Sequence, residues 1–223
     1  MLREQVLAQL YSRASEHNRA GQARFGIKPR HNLGLSVRDL RELAGQIRID
    51  HGLATELWES GIHEARILCS MIADPALITA DLVDRWTAEF DSWDIVDQFC
   101  QNLYWRLPFA EQKVDEYCQR PEEYVKRTGF SLIASIATRN RNLSAGRLCR
   151  FLDLAVGYGH DDRNYVTKAV SWALRVVAIR HPAALGEVLE ACATLAASGS
   201  KGGRWVAGDV RRELVRRGLI KPS

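Results

Sequence analysis

Apolar residues recur at intervals of three and four along nearly the whole chain, the spacing of a helix with one buried stripe, and no segment alternates as a half-buried strand would. The pattern predicts helices over 2–19, 36–48, 51–60, 62–73, 79–91, 93–105, 109–119, 122–139, 144–157, 161–180, 182–197 and 201–217. Ser36, Thr79, Ser144 and Asp161 precede periodic segments, where a side-chain oxygen can accept the orphan amide protons of a first turn. Pro75, Pro108, Pro121 and Pro182 fall in or beside the joints, as an imide that cannot continue a helix should. Short connections make sequential helices antiparallel neighbours. Pairs recur roughly every 30 to 40 residues, which suits a helical solenoid whose repeats bury their apolar faces on one another. A compact helical bundle satisfies the same periodicity.

Composition fits a folded protein, with 46% hydrophobic and 26% charged residues in 223. A single domain over 1–223 is the expectation. No apolar run approaches the ~18 residues of a membrane span, and the opening MLREQVLAQLYSRASEHNRA lacks the unbroken apolar stretch of a signal peptide. A cytoplasmic location is therefore expected. Cys69, Cys100, Cys118, Cys149 and Cys192 lie far apart without CxxC spacing, so buried free thiols are expected rather than disulfides or a metal site.

Charge changes the picture more. Residues 1–118 hold 13 Lys and Arg against 18 Asp and Glu, whereas 119–223 hold 18 against 9. A basic C-terminal half suggests a polyanion-binding face, although solvated helices also carry excess Arg. Lys168, Arg175, Arg204, Arg211 and Arg212 are the candidates for phosphate contact.

Three motifs carry candidate chemistry. In SWDIVDQFC (92–100) and the turn after it, Trp93, Asp97, Gln101 and Tyr104 share one arc of a helix, and Ile95, Val96, Phe99 and Leu103 share another. A partly buried Trp beside a capping or solvated Asp fits this pattern as well as a site does. In EYVKRTGFSLIA (123–134), Arg127 lies opposite the apolar arc of Val125, Leu132, Ile133 and Ile136, with Tyr124 and Ser131 beside it. A guanidinium there could hold a phosphate in bidentate fashion or be an ordinary surface Arg. In DDRNYVTKAVSWALRVV (161–177), Trp172 sits at the edge of a stripe of Val166, Ala169, Val170, Ala173, Leu174 and Val177, flanked by Lys168 and Arg175. An aromatic fringed by cations occurs on nucleic-acid surfaces and at the rim of packed helices alike.

Taken in order, SWDIVD, VKRTGF and KAVSWALR resemble the DNA alkylation repair family, the AlkD-like glycosylases. The segments RFGIKPRHNLGLSVRDLRELA and HEARILCSMIADP extend the resemblance over about residues 20–215. It implies an all-α fold, a superhelical solenoid of HEAT-like antiparallel helix pairs. It also implies a monofunctional DNA glycosylase that removes positively charged N3- and N7-alkylated purines from double-stranded DNA. Trp93, Asp97 and Trp172 would then be catalytic and Arg127 would contact DNA, with no cofactor and no metal; a monomer is expected. A HEAT-like DNA-binding or scaffold protein without activity is the alternative. One departure from the family is that HNRAGQARFGI offers no aromatic at the matching position upstream of RFGI.

Overall fold

Side-chain caps start several of the helices in the computed structural model, which describes residues 1–222. Among them are thirteen α-helices, three short 3₁₀ turns and no strand. They fall into two compact units meeting in sequence after Pro108. The first holds α1 (Arg3–Ser12), α2 (Glu16–Arg24), α3 (Val37–Ile47), α4 (His51–Trp58), α5 (His63–Ile72), α6 (Ala80–Ala88) and α7 (Trp93–Asn102). The second holds α8 (Ala110–Gln119), α9 (Glu123–Arg139), α10 (Ala145–Tyr158), α11 (Asn164–Arg180), α12 (Leu185–Ala197) and α13 (Lys201–Arg216).

Ser36, Thr79 and Ser144 cap α3, α6 and α10 as expected, each oxygen accepting the amide three residues on. Elsewhere the boundaries depart from expectation. The predicted helix 2–19 breaks in two because Ser15 caps a new start, its oxygen accepting from the Asn18 amide while its own amide donates to the Leu33 carbonyl. Asp161 does not cap α11, which begins at Asn164; its carboxylate is taken by the amide and guanidinium of Arg163.

In the first unit, Trp58, Trp86, Phe90, Phe99 and Tyr104 form one aromatic cluster with ring centroids 5.0–6.3 Å apart. Edge-on and tilted pairs of this kind are each worth about 0.5–1.5 kcal/mol beyond the area they bury. Tyr104 is a correction to the sequence reading. Helix α7 ends at Asn102, and a 3₁₀ turn at Tyr104–Arg106 rotates that ring into the core, away from the arc of Trp93 and Asp97. Its hydroxyl lies 3.2 Å from Thr87 Oγ1.

In the second unit, α9 lies between α8 and α11, and α13 packs on α11 and α12. A Cβ at Gly129 would come within 2.6–2.7 Å of the backbone nitrogen and Sγ of Cys118, so only glycine lets α8 approach α9 this closely. Four cysteines are buried free thiols as expected; Cys149 is the exception, exposed on α10. Burial holds the thiols of Cys69, Cys118 and Cys192 far above their usual range, which makes them inert.

Candidate functional site

Because Ile95, Val96 and Phe99 of α7 are fully buried, the opposite side of that helix is turned outward. Trp93, Asp97 and Gln101 lie there, one turn apart, and line a cleft of about 240 Å³ in the first unit together with Gln22, His63 and Asp94. Asp97 is half-buried and lines this space. Trp93 also borders a second cleft of about 450 Å³ with His17, Asn18, Ile27 and Phe25. Its indole Nε1 donates to the Phe25 carbonyl at 3.0 Å, which holds the ring where it borders both spaces. Phe25 itself is 76% exposed. The first segment of the chain thus does supply an aromatic to this region, from within RFGI rather than upstream of it.

Two neighbours of the cleft were not singled out from sequence. His63 Nε2 lies 2.8 Å from Asp94 Oδ2, and Ser92 Oγ donates to the same carboxyl group. Burial works against charge on His63. The hydrogen bond to Asp94, with the charges of Asp94, Glu64 and Asp91, outweighs it and raises the imidazole pKa. Burial likewise opposes the Asp94 charge, and His63 and Ser92 overcome it and lower that pKa. The adjacent Glu64 is buried, and its carboxylate accepts from the amides of Leu33, Gly34 and Leu35 at 2.7–3.1 Å. Gly34 has φ +82°, and a Cβ there would collide with the Ser15 carbonyl. The HE of HEARI was the available sequence signal, but its partners are about 30 residues away.

The remaining predicted residues belong to the second unit. Arg127 is a correction: it is 4% exposed, with Nη1 donating to the Tyr165 carbonyl of α11 at 2.6 Å. The face opposite its apolar arc is not open, because α9 is buried almost continuously from Arg127 to Ala137 and Ser131 is fully enclosed. Arg127 therefore joins α9 to the helix that carries Lys168, Trp172 and Arg175. Trp172 is half-buried at the edge of the predicted α11 stripe, every member of which is buried. Lys168, Arg204, Arg211 and Arg212 are exposed, and Arg175 is half-buried. Asp209 of α13 accepts from Ser171 Oγ at 2.6 Å and pairs with Arg212 at 3.3 Å and Arg175 at 3.7 Å. Arg204 donates to the Gly199 carbonyl at 2.8 Å.

Fold and site together define an all-helical protein with a carboxylate and an indole on one cleft of its first unit and exposed cations on its second. The family model of the DNA alkylation repair enzymes matches residues 6–202, and the chain belongs to that family. In structure it is similar to a solved member of "a new family of proteins related to the HEAT-like repeat DNA glycosylases with affinity for branched DNA structures". The TM-score is 0.81 at 17% identity, over 98% of this chain and 95% of that one. Such a likeness establishes the fold, so the all-α HEAT-like architecture expected from sequence is the one the chain adopts. No curated protein matches it significantly by sequence. Among the described residues, no helix is long and apolar enough to cross a membrane.

Proposed function

We propose that the chain is a monofunctional DNA glycosylase that hydrolyses the N-glycosidic bond of N3- and N7-alkylated purines in duplex DNA. The observation that carries this reading is Asp97, half-buried and lining a cleft with Trp93. An N3- or N7-alkylated purine is already cationic, so its bond to C1′ breaks with the electron pair cancelling the charge on the base, and no acid is needed to protonate it. Water then adds to C1′ and releases a proton. Other glycoside hydrolases need two carboxylates because one must protonate the leaving group. Here one suffices, and Asp97 stabilises the positive charge that develops on the sugar. At about 4 Å and an effective dielectric near 20, that is worth about 4 kcal/mol, or roughly three orders of magnitude in rate.

Trp93 and Trp172 are each assigned a contact with the DNA substrate, and an indole face beside a cationic nucleotide contributes about 0.5–2 kcal/mol. Lys168, Arg175, Arg204, Arg211 and Arg212 are assigned to backbone phosphates, with Arg175 and Arg212 exchanging Asp209 for a phosphate. Arg127 acts from inside, holding the start of α11 in place. The family match crosses the joint at Pro108, which supports reading the chain as a single HEAT-like domain; action as a cytoplasmic monomer is part of the same proposal. The chemistry calls for no cofactor.

A second reading, a DNA-binding protein without glycosylase activity, is favoured by the structural neighbour's described affinity for branched DNA. Incubation with DNA containing 7-methylguanine and 3-methyladenine, followed by detection of free bases, separates the two. Free bases are expected; tight DNA binding with none released would leave only the second reading.

A further inference from the structure

A cleft of about 260 Å³ in the second unit is lined by Lys168, Thr167, Lys201, Trp205, Asn164 and Asp162. Trp205 is 41% exposed, on a helix whose buried face is made by Gly202, Gly203, Val206, Val210 and Leu214. Packing therefore does not account for this indole, and it stands one turn from Lys201. Among the described residues neither lysine is paired with a carboxylate. The one acid at the cleft, Asp162, is turned to α13, its Oδ1 accepting the Gly202 amide at 2.7 Å. Thr167 is likewise engaged, its hydroxyl donating to the Arg163 carbonyl.

An exposed ring that shares a cleft with two ammonium groups suits a ligand with a flat π-face and an anionic tail. Drug-sized pockets begin at roughly 300 Å³, and this one is smaller, with room for a single planar ring. Helical DNA hides its base faces in the stack, so only a nucleotide displaced from the helix presents both features at once. We propose that this cleft binds one unstacked nucleotide of a DNA strand, the base on Trp205 and its phosphate between Lys168 and Lys201. The inference rests on the DNA-binding part of the function proposed above, but not on glycosylase activity.

The probe is a duplex carrying one unpaired 2-aminopurine, whose emission falls when it stacks, compared with the same duplex fully paired. The protein should prefer the bulged duplex by about tenfold and quench its emission. Trp205→Ala should abolish preference and quenching, leaving affinity for the paired duplex within about twofold. Trp205→Phe, which keeps a ring, should retain most of both and shows that the fold tolerates change there. Lys168→Gln and Lys201→Gln should each lower the salt dependence of bulge binding by about one ion. Equal affinity of the wild-type protein for both duplexes, or full preference in Trp205→Ala, would overturn the proposal and leave the DNA reading standing. Failure to bind either duplex would overturn both.

Discussion

The indole nitrogen of Trp93 donates to the carbonyl oxygen of Phe25, joining the first turn of α7 to the segment that follows α2. Residues 68 positions apart are thereby tied together, and the ring borders both the space of Asp97 and that of Phe25. Trp93→Phe keeps an aromatic wall but loses the donor. It should cost about 0.5–1.5 kcal/mol in denaturant unfolding while keeping most base release. Trp93→Ala removes the aromatic wall as well and should slow release markedly. Equal rates in the two variants would show that the ring itself takes no part.

Asp97→Asn is nearly isosteric and removes only the charge. Binding to methylated duplex should persist, while release of 7-methylguanine should fall by roughly two to three orders of magnitude. A rate close to wild type would take Asp97 out of the mechanism.

What the sequence disclosed followed from how local the interactions are. The stripe of α11 and the apolar arc of α7 were legible because helical periodicity alone places Val166, Ala169 and Val170, or Ile95, Val96 and Phe99, on one side. Trp93 and Asp97 were legible as a pair for the same reason. The environment of Arg127 was not: a helix enclosed by neighbours on both sides buries residues that a one-stripe reading turns outward, and α9 is such a helix. The partners of His63 and Glu64 lie about 30 residues off, and no spacing rule reports them.

Glu64 holds three consecutive amides, those of Leu33, Gly34 and Leu35, and so fixes a loop that supplies Leu35 to the Asp97 cleft. Glu64→Gln keeps the shape but replaces one acceptor oxygen by a donor facing N–H groups. A loss of about 2–4 kcal/mol is expected, since hydrogen bonds to charged groups are worth about 1.5–3 kcal/mol each. Chemical denaturation measures it, and an unchanged midpoint would show that the loop is held by other contacts.

The His63–Asp94 pair makes stability depend on pH in a definite sense. With its folded pKa raised, His63 contributes fully below the ordinary imidazole pKa, and this is lost as pH rises through the raised value. With its folded pKa lowered, Asp94 contributes above the ordinary carboxyl pKa, and this is lost as pH falls through the depressed value. The pair is thus strongest between the two. As pH rises from the ordinary imidazole pKa through the raised value, the melting temperature should decline in part through His63, and Asp94→Asn should lower it at the acid end of that range and flatten the decline. An Asp94→Asn protein with the wild-type slope would place the titrating group elsewhere.

Arg127 and Lys168 can be told apart by salt. Arg127 is enclosed and bonded to the Tyr165 carbonyl, whereas Lys168 is exposed on α11, the helix that carbonyl belongs to. Neutralising a lysine that meets a phosphate retains one counterion on the DNA, so Lys168→Gln should reduce the slope of log affinity against log salt by about one without changing the melting temperature. Arg127→Ala removes a buried cation together with its hydrogen bonds, and destabilisation of about 3 kcal/mol or more is expected, with the salt slope unchanged. Arg127→Lys should recover only part of that stability, because an ammonium lacks the planar fork of the guanidinium. Should Arg127→Ala instead melt normally and flatten the salt slope by one, the guanidinium would be meeting DNA directly and its structural assignment would be wrong.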